Sequence, residues 1–166
     1  MDVLDDYLVN PQISVLEKTR IQAQVLVPVL RAMRAEFGKA KADALVKDAL
    51  QTWSRELFAE IARGIEGSGR RKWAVLQGNF NDVTQQEVDF EVIRRDSEAL
   101  HIDVTRCGFA EFFRALDEPE LGALLVCAAD ADIATAAGNE VILDREQTLM
   151  QGAPSCTFRY AFVPRS

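Results

Sequence analysis

Histidine is almost missing: the 166 residues hold one, His101. A metal site built from several histidines is excluded, and any Ser-His-Asp or Cys-His arrangement would have to pass through that single ring. Positive charge is also scarce, with 19 Lys and Arg against 26 Asp and Glu and a net charge of −7. A chain without a basic field does not suit a phosphate backbone, so nucleic acid is not an expected partner. No stretch approaches the roughly 20 uninterrupted apolar residues of a membrane span, and the opening MDVLDDYLVNPQ carries acids where a signal peptide carries bases. The expectation is a cytoplasmic protein with no membrane partner. Cysteine is sparse and odd in number: Cys107, Cys127 and Cys156, with no CxxC pair. Free thiols fit this better than a disulfide framework, and spacing alone gives weak support for a structural zinc site.

What is present is ample apolar material. The chain is 48% hydrophobic, and at about 150 residues a chain removes roughly 70% of its unfolded surface from water, so a single domain over residues 1–166 can fold without staples. From Ile13 to Phe37, Val15, Leu16, Ile21, Val25, Leu26, Val29, Leu30 and Met33 recur at helical intervals, with Pro28 as a kink and Gly38 as the stop. A second helix spans Ala40 to Ile65, its stripe formed by Leu45, Ala49, Leu50, Trp53, Leu57, Phe58 and Ile61. The segment Gly67 to Lys72 reads as a solvated linker, with an anion-binding loop as the sharper option, and a short helical piece comes next at Trp73 to Leu76.

Past residue 85 the period becomes two. Val88, Phe90 and Val92 alternate with acids, as do Leu100, Ile102 and Val104 with His101 and Asp103, which predicts an antiparallel hairpin with one buried face and His101 toward solvent. Helices are expected over Phe109 to Leu116 and Glu120 to Ala136, then strands over Glu140 to Met150 and Cys156 to Val163. A helical half (1–80) succeeded by a mixed half (85–166) argues for α+β, with a four-stranded antiparallel sheet covered by helices.

The chemistry-bearing residues fall in the last third, at element boundaries. Buried, hydrophobe-like cysteines are the ordinary reading of all three thiols. Cys107 comes directly after Arg106 and opens a helix, the two features that favour a thiolate, so it is the best candidate nucleophile. Asp130 and Asp132 read as exposed carboxylates or, alternatively, as a general acid/base. Thr105 is a cap or a substrate contact. Arg145, with Gln147 beside it, is a candidate bidentate anchor for a substrate carboxylate.

Several strings then resemble the L-2-amino-thiazoline-4-carboxylic acid hydrolase family. They are Thr105-Arg106-Cys107-Gly108-Phe109-Ala110-Glu111-Phe112-Phe113, Pro119-Glu120-Leu121-Gly122, Cys127-Ala128-Ala129-Asp130, Arg145-Glu146-Gln147-Thr148, and Met150-Gln151-Gly152-Ala153-Pro154-Ser155-Cys156-Thr157-Phe158-Arg159-Tyr160. One departure is Ala131, where the pattern has an aromatic after the Asp, a change that bears on pocket shape. The resemblance implies hydrolysis of a cyclic isothiourea to a carbamoyl-cysteine. Two mechanisms are open: attack by the Cys107 thiolate with Asp130 moving protons, or a hydroxide on zinc held by Cys107, Cys127 and Cys156. The first is preferred, so no cofactor is favoured and zinc is the alternative; Thr105, Arg145, Thr148 and Cys156 are the candidate substrate contacts. A weaker similarity to vinyl-reductase-like small-molecule-binding domains implies instead a ligand- or metal-sensing module without turnover. The expected partner is a small molecule bearing a carboxylate, with a homo-oligomer possible in either case.

Overall fold

The computed structural model describes residues 13–84, 87–136 and 138–163, and for 79–84 the backbone alone. The acidic opening segment, residues 1–12, lies outside the described residues. Helix α1 (Val15–Phe37) starts at Ser14, whose hydroxyl accepts the Glu17 N–H at 3.1 Å, and it continues through Pro28. Ser14 is thus an N-cap. Gly38, at φ +80°, ends α1 and leads directly into α2 (Lys39–Arg63); a residue with a Cβ would be strained there.

The buried sides of these helices differ from the expected stripes. On α1 the core side is Leu16, Thr19, Ala23, Val27 and Leu30, whereas Ile21, Val25 and Val29 face outward. On α2 the buried positions are Ala42, Ser54 and Ala62, with Leu45 and Trp53 exposed. On α1 two apolar sets recur at three- and four-residue spacing, and periodicity alone cannot choose between them; on α2, Leu50, Phe58 and Ile61 of the expected stripe do pack against the core, half-buried. The small buried residues of α2 instead suit close helix-to-helix approach.

Helix α3 (Gly69–Thr84) replaces the expected linker and short piece. The Ser68 hydroxyl accepts the Arg71 N–H at 3.2 Å, while Arg70 lies over the Phe162 ring at 4.0 Å and donates to the Ser97 carbonyl. The basic run is therefore a helix start tied to the sheet, rather than a solvated linker or an anion loop.

Strands β1 (Val88–Arg95), β2 (Ala99–Cys107), β3 (Val141–Asp144) and β4 (Cys156–Phe162) form one antiparallel sheet in the order β1-β2-β4-β3. Phe90, Val104 and Cys156 stand in register across three strands, as do Val92, Ile102 and Phe158. This apolar face is covered by helices, and Trp73 of α3 packs on Tyr160 and Phe162 with ring centroids 4.9 and 5.2 Å apart. Cover thins toward β1, where Phe90 and Val92 remain half exposed, so the first hairpin lacks the fully buried face expected of it. The opposite face is polar, with Asp103 and Arg159 ion-paired at 2.6 Å and His101 beside Arg159 in register.

Between the hairpins run α4 (Gly108–Ala115), α5 (Pro119–Gly122), a π-helical turn (Ala123–Cys127) and α6 (Ala128–Ala136). The break before α5 is made by Asp117 at φ +58° and by Glu118, whose buried carboxylate accepts from Arg31 Nε at 2.9 Å and Arg34 Nη1 at 2.6 Å. The strand expected to reach Met150 stops at Asp144. Arg145 leaves the sheet edge for an ion pair, and Thr148 caps a 3-10 turn over Leu149–Gln151 by accepting the Gln151 N–H.

Candidate active site

The apolar interior divides in two. One cluster gathers Leu16, Leu30, Phe109, Phe113, Leu121 and Met150; the other gathers Trp73, Leu76, Ile133, Val141 and Tyr160. Along the seam between them lies a cavity of about 100 Å³, several times the space one water requires. Its polar lining is Cys107, Cys127, Asp130, Arg145, Cys156, Gln77 and Tyr160, set among Val88, Phe90, Ile102, Val104, Phe109, Val126 and Phe158.

Three local irregularities bring these side chains together. Strict alternation along β2 would turn Cys107 away from the face that carries Val104. The register instead jumps from Asp89↔Arg106 to Phe90↔Val104, leaving Thr105 as the extra residue of a β-bulge. A bulge re-aims the side chains next to it along the strand, so Cys107 pairs with Val88 and lines the cavity while Arg106 turns outward. The π-helical turn before α6 changes residue spacing around the helix, and Val126, Cys127 and Asp130 all reach the cavity. Finally, Arg145 turns in from the end of β3. Its Nη1 donates to Asp130 Oδ2 at 2.6 Å, its Nη2 donates to the Cys127 carbonyl at 2.8 Å, and its guanidinium lies 5.1 Å from the Phe158 ring.

The electrostatics differ from what sequence suggests. Burial pushes the Asp130 carboxyl up to about 6, against the lowering effect of Arg145. Burial is the largest single influence on Arg145 and pulls it down, but the charge and hydrogen bond of Asp130 together with the nearby Cys127 and Cys156 sulfurs outweigh it and raise the guanidinium. All three thiols are raised by burial, Cys127 to about 12. The Phe109 and Ala110 N–H groups at the start of α4 work the other way on Cys107, as the Leu149 N–H does on Cys156. The helix start expected to favour a Cys107 thiolate is present. The Arg106 charge is taken up chiefly by Asp89 outside the cavity, Nε to Oδ2 at 2.6 Å, and Cys107 is the least of its partners. The resting site therefore holds thiols beside an ionised pair, and a nucleophilic thiolate requires proton transfer to a neighbour.

Of the residues singled out from sequence, Cys107, Cys127, Asp130, Arg145 and Cys156 meet in this cavity. Thr105 does not: it is exposed at the bulge and reaches the Asp89 carbonyl. Thr148 is a buried cap, Gln147 binds Ser155, and Asp132 is held by the Ser54 hydroxyl of α2 at 2.5 Å. Asp130 and Asp132 are thus both buried rather than exposed. Ala131 is exposed and lines no part of the cavity, so the departure there leaves the pocket walls untouched. Among the described residues no group of three His, Cys, Asp or Glu side chains is placed to hold one metal ion. Sequence reasoning missed Gln77 and Tyr160, whose side chains meet with the hydroxyl donating to Gln77 Oε1 at 3.3 Å. The apolar alternation of β4 already put Tyr160 on the face of Cys156; nothing marked Gln77.

Over residues 18–160 the chain matches the model of one protein family, described as L-2-amino-thiazoline-4-carboxylic acid hydrolase. No curated protein matches it. Among solved structures it is similar to the phenol-responsive sensory domain of the transcription activator PoxR with phenol, at 11% identity and a TM-score of 0.48, over 82% of this chain and 72% of that one.

Proposed function

Since the chain belongs to the L-2-amino-thiazoline-4-carboxylic acid hydrolase family, we propose that it opens a small cyclic isothiourea such as 2-amino-thiazoline-4-carboxylate to a carbamoyl-cysteine, with Cys107 as nucleophile. The observation that carries this reading is the meeting of Cys107, Asp130 and Arg145 in one largely apolar cavity. Water-poor surroundings strengthen each charge interaction made there.

In this scheme the ring amidine sits on Asp130, whose Oδ2 is engaged by Arg145 and whose Oδ1 is left to meet a ring N–H. The substrate carboxylate draws on Arg145, so that the two charges of a zwitterionic ligand match the two halves of the resident ion pair. Cys107 sulfur then attacks the carbon between ring sulfur and nitrogen as its proton passes to Asp130, a base with its pKa near 6. The ring bond to one heteroatom breaks and that atom takes the proton. Water next adds to the same carbon and expels the Cys107 sulfur, leaving the carbamoyl oxygen behind. Cys127, the most strongly raised of the thiols, stays protonated and serves as wall.

A second reading, a binding module without turnover, is favoured by the protonated state of all three thiols at rest. Incubation with 2-amino-thiazoline-4-carboxylate, monitored in parallel by calorimetric binding and by product detection, separates the two. Multiple turnovers are expected; saturable binding with no product over long incubation would establish the module instead.

A further inference from the structure

Helix α1 carries a second apolar stripe that nothing in the described chain covers. Ile21, Val25 and Val29 are 54%, 64% and 48% exposed. With the exposed Pro28 and Ala32 they recur at three- and four-residue steps, on the side opposite the buried Leu16, Ala23, Val27 and Leu30. One apolar stripe suffices to dock a helix on its own core, and a second one facing water marks a contact surface.

The ends of this stripe say what the contact is. It begins at Lys18 and finishes at Glu36, 18 residues on; that is five full helical turns and about 27 Å, so both charges stand on the same side. Neither takes part in a salt bridge among the described residues. A stripe with a cation at one end and an anion at the other complements itself only when a second copy runs antiparallel. Around a two-fold axis near residue 27, Lys18 then meets Glu36 of the second copy at both ends. Ile21 stands level with residue 33, beside the small Ala32, and Val25 meets Val29. A shallow crossing of about 20° keeps the ends in reach, as in helical bundles.

We propose that the α1 face bearing Ile21, Val25, Pro28, Val29 and Ala32 pairs two copies of this chain antiparallel, in a closed, isologous dimer clamped by two Lys18 to Glu36 contacts. The surface is independent of the cavity, on the opposite side of α1 from its core contacts.

Sedimentation equilibrium of the full chain across about 1–200 μM tests this. A monomer–dimer equilibrium is expected, and Val25→Glu, an exposed position whose folding circular dichroism checks, shifts it to monomer. Lys18→Glu and Glu36→Lys, each replacing attraction by repulsion at both ends, weaken association by about tenfold. The double variant Lys18→Glu with Glu36→Lys restores it to within about threefold, since the reversed charges still meet. A monomer at every concentration, a dimer indifferent to Val25→Glu, or a double variant no better than the singles overturns the proposal and assigns the stripe to some other occupant.

Discussion

Asp130 sits where two demands conflict. Its carboxylate faces a guanidinium at 2.6 Å, yet burial pushes its pKa up to about 6. Between about pH 4 and pH 6 the folded protein keeps a proton that the unfolded chain has released, so stability falls as pH rises through that window. A pKa raised by about two corresponds to about 3 kcal/mol. The unfolding free energy of the wild type, measured in urea relative to Asp130→Asn, is therefore expected to drop by about that amount from pH 4 to pH 7. A pH-independent difference would mean that Asp130 titrates like an ordinary carboxylate. Residue identity was readable here and environment was not. Cys107, Asp130 and Arg145 could be singled out from residue type and motif, while the outward turn of Arg106 toward Asp89 depends on a pairing register that local sequence does not encode.

At the scale of elements, the motif strings divide into residues that face the cavity and residues that lock helices together. Gly122 belongs to the second group. A Cβ placed on it would lie 2.6 Å from Phe113 Cγ and 2.7 Å from Met150 Sδ, and Phe113 is fully buried and cannot yield. Overpacking of this kind costs about 1–3 kcal/mol, more than the ~1 kcal/mol of helix propensity that alanine supplies. Gly122→Ala should lower the melting temperature. Gly78, inside α3 with open space around its Cβ, provides the opposite case: Gly78→Ala should raise stability by about 0.5–1 kcal/mol. Equal signs for the two variants in thermal melts would refute the packing account.

Element type was largely legible because periodicity reports it directly: two long helices, two hairpins and the helices between them. Their irregularities were not. The extra residue at Thr105, the π-helical turn at Ala123–Cys127 and the early end of β3 each arise from tertiary pairing. These are the features that aim Cys107, Cys127, Asp130 and Arg145 at one point. Local patterning thus supplied the framework, and departures from local patterning made the site.

Over the whole molecule, the cavity occupies the seam where the α1–α4–α5 packing meets the sheet-and-α6 packing, with Val88 and the half-exposed Phe90 of β1 in its wall. That placement makes a largely apolar chamber with one ion pair and three thiols on its walls. It also explains how thiols from three distant sequence segments share a site without forming a metal cage among the described residues. The measurement that bears most directly on this account is the kcat/KM for ring opening of 2-amino-thiazoline-4-carboxylate by the wild type and by Cys107→Ser, with folding of both confirmed by circular dichroism. Removal of a nucleophile that forms the covalent intermediate is expected to lower kcat/KM by about 10³-fold or more; a Cys107→Ser protein that opens the ring as fast as the wild type would contradict it.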